Sequence, residues 1–452
     1  MLASAIRDIK ALDPLVHEGR VTALEGLRIE AAGPPAALRL GAFVRFGSAD
    51  GPRGELVGFE GDRAILLASD PLDGLAPGAP VLFVSGLDSV RPSDGWLGRV
   101  IDAFAAPLDG KGPLRAGARA RRVRASAPNA QARARVDQKL GLGVKAIDVF
   151  APCARGQRLG VFAGSGVGKS TLMSMLARGA EADVIVIGLI GERGREVREF
   201  VEDTLGPEGL AKSVIVTATS DEAAPRRRRA AWLTLAVAEH FRDEGRQVVC
   251  FLDSVTRFAM AQREIGLAAG EPPTTRGYTP SVFAELPKLL ERAGPGLTCA
   301  PGQPQGHITG LFTVLVDGDD HNEPISDAVR GILDGHITLS RQIAERGRFP
   351  AVDVLRSISR LQQALQTPQE REYVGRARRL MALYSNMEEL VRIGAYTRGA
   401  DPEVDEAVRL WPQLEGFLSQ DTQHVIAPED AFRALQAVLV SPGAPAQKMA
   451  AR

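Results

Sequence analysis

The chain has 452 residues, 44% of them hydrophobic and 24% charged, a soluble globular composition long enough for two or three domains. Lys and Arg total 55 against 55 Asp and Glu, so no net field draws the chain to nucleic acid or an anionic membrane, and local patches must carry any such binding. Cys153, Cys250 and Cys299 are too few and scattered for a disulfide framework or zinc site, which fits a reducing cytoplasm. With no signal-like apolar run at the N-terminus and no stretch of about eighteen apolar residues, the chain is not expected to span a membrane.

Residues 1–18 put Leu2, Ala5, Ile6 and Ile9 on one helical face. They read equally as an amphipathic docking helix and as a frayed terminus or a helix lying on its own domain. From 19 to 92, short apolar runs (Val21–Ile29, Leu40–Phe46, Glu55–Phe59, Ala64–Leu67, Val81–Val84) broken by Gly, Asp and Pro predict a small β-barrel. Gly95–Ser126 holds a strand-like run at Leu97–Phe104, a turn at Pro107–Gly110 and the arginines Arg115, Arg119, Arg121, Arg122 and Arg124, and reads as a connector. Within 93–365, apolar β-rich runs alternate with helical patterns, the signature of an α/β domain with a mainly parallel sheet. Its core strands are expected at Arg158–Ala163, Val184–Ile190, Ser213–Thr217, Val248–Leu252 and Gly310–Val316. In 366–452, Glu370–Ile393 and Pro428–Leu439 predict a helical C-terminal domain. The tail Ser441–Arg452 is expected to be mobile.

The sharpest motif is Val161-Phe-Ala-Gly-Ser-Gly-Val-Gly-Lys-Ser-Thr171, a strand end running into a glycine-rich turn that closes on a helix. Gly164, Gly166 and Gly168 free the backbone so that N–H groups of the Gly164–Thr171 segment, including those of Ser165 and Val167, point at a triphosphate. Lys169 reaches the β- and γ-phosphates, Ser170 holds Mg²⁺, and the helix N-terminus favours the anion. Ala163 replaces the first glycine of the usual pattern, a change of one methyl. A second metal-shell carboxylate is expected at the end of a neighbouring buried strand, and Val248-Val-Cys-Phe-Leu-Asp253 supplies Asp253. The strand Val184–Ile190 leads to Glu192, assigned as the base that orients the attacking water, and to Arg193. Arg193 and Arg257 would offset charge on the transferred group. Arg360 offers a cation at the end of the α/β core. Phe349, before Pro350, reads either as core or as an adenine-stacking ring. The run Arg226–Arg229 reads as a solvated helix start paired with Asp221 and Glu222, and Glu196 and Arg198 as a charged helix surface.

Four segments together resemble the flagellar protein-export ATPases of the type III secretion ATPase family, which is related to the catalytic subunit of rotary F-type synthases. They are Phe162–Ser170, Gly188–Val197, Gly277–Pro287 and Ile332–Arg341. The resemblance implies an N-terminal β-barrel, a RecA-like P-loop core and a C-terminal helical domain, assembled as a homohexamer with ATP and Mg²⁺ at the subunit interfaces. It implies Lys169 as the phosphate lysine, Ser170 and Asp253 as the magnesium shell and Glu192 as the catalytic glutamate. Arg193 and Arg257 then line the γ-phosphate pocket, Arg360 is the finger to the adjacent subunit, and Phe349 stacks on adenine. It further implies a regulatory dimer docking at Leu2, Ile6 and Ile9, a central stalk protein, export chaperones and substrates, and a cytoplasmic protein held peripherally at an inner-membrane export gate. Rotary synthases place a second aromatic after Phe-Leu-Ser-Gln, where this chain has Asp421 and Thr422, so a one-sided adenine clamp is expected. The alternatives are a virulence injectisome ATPase, a rotary synthase subunit and an RNA-translocating hexamer. The 5% aromatic content and the missing basic–aromatic cluster in 20–92 disfavour the last, so no nucleic-acid partner is expected.

Overall fold

The computed structural model describes residues 17–300, 302–316 and 323–440. Nearly all of the expected docking helix at 1–18, including Leu2, Ile6 and Ile9, and the tail from Ser441 lie outside the described residues. His17 and Glu18 belong to the first barrel strand.

Six antiparallel strands, β1 (His17–Glu25), β2 (Arg28–Ala32), β3 (Phe43–Phe46), β4 (Arg53–Glu60), β5 (Arg63–Ala68) and β6 (Pro80–Val84), close a barrel in the order β1-β2-β5-β4-β3-β6. The apolar run Val21–Ile29 is therefore a hairpin and not one strand: Gly26 takes φ 59° and turns the chain back. Inside, Val21, Ile29, Val44, Phe46, Leu56, Leu66 and Val81 make a separate small core. Gly54 is required there, because a Cβ would fall 2.6 Å from the Phe46 ring.

The central sheet runs, from one edge to the other, β14 (Ile358–Ser359), β13 (Gly335–Thr338), β8 (Arg158–Ala163), β12 (His307–Leu315), β11 (Gln247–Asp253), β9 (Val184–Glu192), β10 (Ser213–Thr219) and β7 (Arg99–Ile101). Every pairing along it is parallel except β13–β14. Burial on both faces explains why its strands read as continuous apolar runs: eight of the nine residues of Val184–Glu192 are buried. The connector reading of Gly95–Ser126 is corrected at one point. Arg99–Ile101 joins the sheet as its edge strand, because the Arg99 guanidinium, buried on Asp109 at 2.7 Å, ties the following turn beneath it.

A larger correction concerns Arg226–Arg229. These residues open the helix Ala224–Asp243 and are not solvated. Arg226 pairs with Asp70 and Asp102 (2.8 Å each) and with Glu222 (2.5 Å), and Arg228 pairs with Glu55 of the barrel at 2.7 Å. Arg229 donates to the carbonyls of Leu87 and Ala103 and lies over the rings of Phe43 and Phe104. Burial pushes Arg229 down to about 10. The run fastens barrel to core, and of the two expected carboxylates only Glu222 is an ion-pair partner of it.

Three long helices follow the sheet: α1 (Pro368–Arg392), α2 (Pro402–Leu418) and α3 (Pro428–Val440). The second was not anticipated. A Thr367–Glu370 capping box starts α1. The helices bury Leu380, Leu410, Phe417 and Leu435 in the same cluster as Ile147, Phe150 and Val161 of the core, and Phe417 meets Phe150 edge to face at 6.4 Å.

Candidate active site

Strand β8 ends at Ala163, and the chain turns through Gly164–Gly168 into the helix Lys169–Gly179. Left-handed geometry falls on two of the three glycines expected to need it, Gly166 (φ 77°) and Gly168 (φ 90°). Val167 is buried and pins the turn to the core, while Ser165, Gly166, Ser170 and Thr171 are exposed on the side where an anion would approach. The helix therefore presents its free N–H groups beside a concave, left-handed turn.

Neighbouring strand ends bring the carboxylates. Strands β9 and β11 pair in register, with Leu189 opposite Asp253, and a bulge between Ile190 and Glu192 turns Glu192 toward the same edge. Lys169 Nζ bridges them, donating to Glu192 Oε1 at 3.0 Å and Asp253 Oδ1 at 2.5 Å. Burial alone would push the Lys169 ammonium down, but the Asp253 and Glu192 carboxylates outweigh it and hold its pKa above the ordinary lysine value. Asp253 is pushed up by burial, with Glu192 adding to it and Lys169 opposing. A cavity of about 110 Å³ opens among Ser170, Leu189, Glu192, Phe200 and Asp253.

These residues fit a nucleotide triphosphate with Mg²⁺. A buried carboxylate and an exposed hydroxyl flank a lysine whose charge is neutralised by acids, in a turn whose backbone leaves room for phosphate.

The remaining predicted residues separate. Arg257 lies over Gly191 (φ 71°), where a Cβ would come within 2.9 Å of its stem, and its Nε has no partner among the described residues, so it borders the Glu192 turn. Arg193 points to solvent, its side chain 82% exposed with a loose contact to Glu196 at 3.5 Å. Glu196 lines the cavity beside Glu192, and Arg198 pairs with Glu202 on the surface. Phe349 is 43% exposed, and its ring lies 3.6 Å from where a Cβ on Gly168 would be, so it flanks the phosphate turn and is not core.

Arg360 is not near this chain's own phosphate turn. Its backbone N–H donates to Asp334 at 3.0 Å, and Asp334 pairs with Arg158, at the start of β8. The turn lies past Ala163, at the other end of the strand, about 16 Å away at about 3.3 Å per residue. Arg360 is exposed beyond the sheet's edge strand.

Several residues of the site were not singled out from the sequence. Arg341 donates to the Ser165 carbonyl at 3.1 Å, steadying the turn from outside. Gln420, at the end of the Phe-Leu-Ser-Gln segment, donates its backbone N–H to the Phe349 carbonyl at 3.0 Å and its side chain to Gly143 and His424 at 2.7 Å each. Arg348 pairs with Glu415 at 3.1 Å, so the C-terminal helices hold the Phe349 loop from beneath. The signal for Arg341 was its place in the Ile332–Arg341 motif. Gln420 stood in the Phe-Leu-Ser-Gln segment without a role of its own and Arg348 carried no signal, because each acts through a contact distant in sequence.

Residues 143–359 match the ATP synthase alpha/beta family nucleotide-binding domain, and residues 366–437 match the T3SS EscN ATPase C-terminal domain. The chain is 57% identical over 443 residues to the flagellum-specific ATP synthase of Caulobacter vibrioides, covering 97% of this chain and all of that one. Its fold superposes on the assembled ATPase EscN of the enteropathogenic E. coli type III secretion system with a TM-score of 0.87, at 41% identity over 93% of this chain and 100% of the other. EscN in complex with its central stalk EscO gives a TM-score of 0.83 at 41% identity, with the same coverage. A closed barrel, a parallel P-loop sheet and three packed helices in this order, with these sequence matches, place the chain in the flagellar and type III secretion ATPase family.

Proposed function

We propose that this chain is the ATPase of a flagellar type III protein export apparatus, hydrolysing Mg-ATP at the subunit interfaces of a homohexamer and coupling turnover to release, unfolding and passage of export substrates. The observation that carries the proposal is the Lys169 ammonium held between Glu192 and Asp253 at two adjacent strand ends, in front of a left-handed glycine turn.

In this reading the N–H groups of Gly164–Thr171 hold the phosphates, and Lys169 leaves its carboxylates for them. Ser170 and Asp253 hold Mg²⁺, which when bound neutralises charge on the β- and γ-phosphate oxygens. Glu192, freed of Lys169, accepts a hydrogen bond from the attacking water and orients it. Arg257, beside Glu192, and Arg193, exposed next to it, offset charge on the transferred group. Phe349 stacks on adenine with Gln420 and Arg348 fixing its loop. Arg360 serves the neighbouring subunit, since an exposed arginine beyond the sheet edge cannot reach its own turn but suits a phosphate across an interface.

Residues 17–92, 93–365 and 366–440 form the barrel, ATPase and helical domains of this assembly. Its partners are a regulatory dimer at the N-terminal segment, a central stalk protein, export chaperones and substrates. It works in the cytoplasm, peripherally at a membrane export gate; among the described residues no helix is long and apolar enough to cross a membrane. The injectisome alternative is not favoured: identity is 57% to the flagellar relative against 45% to the type 3 secretion system ATPase of Xanthomonas euvesicatoria.

The test is steady-state ATP hydrolysis by wild type, Glu192→Ala and Arg360→Ala over a range of protein concentrations. Each variant should lose roughly 10²–10⁴-fold or more in turnover. Mixing the two should restore part of the activity, because a mixed interface pairs an intact Glu192 with an intact Arg360. Activity that survives Glu192→Ala, or mixtures no better than either variant, would sink the interfacial mechanism.

A further inference from the structure

Strand β12 is apolar along most of its length, yet Thr313 interrupts the run Leu311-Phe-Thr-Val-Leu315 at a position fully shielded from solvent. Buried hydroxyls find a partner, and this one has a choice. Its Oγ1 lies 3.3 Å from the Leu252 carbonyl and 2.6 Å from Asp253 Oδ1. The shorter contact falls in the range of hydroxyls donating to an ionised carboxylate. Register explains the encounter: β11 and β12 are parallel with Leu252 opposite Phe312, so Thr313 and Asp253 are the next pair along the edge.

Asp253 Oδ1 thus has two donors, Lys169 at 2.5 Å and Thr313 at 2.6 Å. They differ in what they are attached to. Lys169 is a long side chain whose proposed task is to leave for the phosphates; Thr313 is a β-branched residue, stiff at χ1, on a central strand packed on both sides. We infer that Thr313 is a positioning residue for the magnesium shell: it holds Oδ1 of Asp253 after Lys169 has left, so that the carboxylate keeps one orientation toward the metal. Partners that orient a metal ligand are worth roughly 10–100-fold in metal affinity.

This inference rests on the assignment of Asp253 to the magnesium shell. The test is a titration of the full-length chain with a fluorescent ADP derivative, in EDTA and at increasing Mg²⁺, for wild type, Thr313→Val, Thr313→Ser and Asp253→Asn. Valine keeps the shape of threonine and removes only the hydroxyl. Thr313→Val should bind the nucleotide in EDTA within about twofold of wild type, while the Mg²⁺ needed for half of the metal-dependent tightening rises roughly 10-fold or more. Thr313→Ser should restore the wild-type requirement to within about threefold, since it returns the donor. An unchanged Mg²⁺ requirement in Thr313→Val overturns the inference. So does a Thr313→Ser variant as impaired as Thr313→Val, or equal loss of binding in EDTA, because either would mean that the residue serves packing alone. If Asp253→Asn also leaves the Mg²⁺ requirement unchanged, the assignment of Asp253 itself fails. If Asp253→Asn raises it and Thr313→Val does not, only the role of Thr313 fails.

Discussion

Two arginine-rich segments flank the same sheet edge and have opposite fates. Arg193, Arg195 and Arg198 stand on solvent, with side chains 77–86% exposed, each beside a glutamate three or four residues on. Arg226–Arg229 are covered by the barrel and reach partners more than a hundred positions away in sequence, Asp70, Asp102 and Glu55. Local pairing supports a helix by tenths of a kcal/mol, whereas a buried guanidinium must be paired or the fold fails to close over it. Charge runs of the same type are thus surface or structure according to what covers them.

The strongest way to break this comparison is at Arg228. Its pair with Glu55 is buried on both sides, with 6% and 7% of the side chains exposed. Arg228→Ala would leave Glu55 charged and alone, and should cost about 3–5 kcal/mol. Denaturant unfolding of the purified chain should show it, and a loss below about 1 kcal/mol would put the fastening elsewhere.

Asp148 sharpens the contrast, being as buried as that pair and without an ion pair among the described residues. Its Oδ1 accepts from the Leu142 N–H at 2.9 Å and its Oδ2 has no partner there. Burial pushes its pKa up to about 7 from an ordinary value of 3.8. The folded state then holds a proton that the unfolded chain has released, so stability should fall as pH rises from about 4 to about 7, by at most about 1.4 kcal/mol per pH unit. Above that window the loss is complete. Asp148→Asn should flatten this slope in unfolding measurements between pH 5 and 7; an identical slope in both proteins would assign the pH dependence to other groups.

A smaller effect is expected at the capping box of α1, where Thr367 Oγ1 accepts the Glu370 N–H at 3.2 Å in an exposed setting. Thr367→Ala should cost about 1 kcal/mol, read as a lowered unfolding midpoint. The least effect belongs to the exposed ladder. Arg195→Ala should leave the unfolding midpoint where it is in wild type despite its 2.6 Å contact with Glu199, and raising the salt should erase any residual difference. A larger loss would show that exposed pairs here count for more than their exposure implies.

Legibility followed the range of the interactions. The parallel strands were readable because burial on both faces makes them continuous apolar runs, and their ends place Glu192 and Asp253 without further information. The turn Gly164–Ser170 was readable because left-handed backbone at Gly166 and Gly168 demands glycines in a fixed spacing before Lys169 and Ser170. Helix α2 was not. Pro402 and Pro412 suggest breaks, but the first sits in the opening turn and the second is carried by the packing of Leu410, Leu414 and Phe417. The hairpin inside Val21–Ile29 was hidden because only Gly26 and Leu27 separate its two strands, and Leu27 continues the apolar run through the turn.

By itself the sequence determined the elements with a local cause: the glycine turn, the apolar strands, the carboxylates at their ends and the domain order. Its motifs also pointed to the family. Only the tertiary structure decided that Arg226–Arg229 are buried, that Phe349 flanks the phosphate turn, that Thr313 holds Asp253, and that Arg360 stands at the far end of its sheet edge. Each depends on which distant segment arrives at a side chain, and burial, ion pairing and reach are properties of that encounter rather than of residue type or spacing.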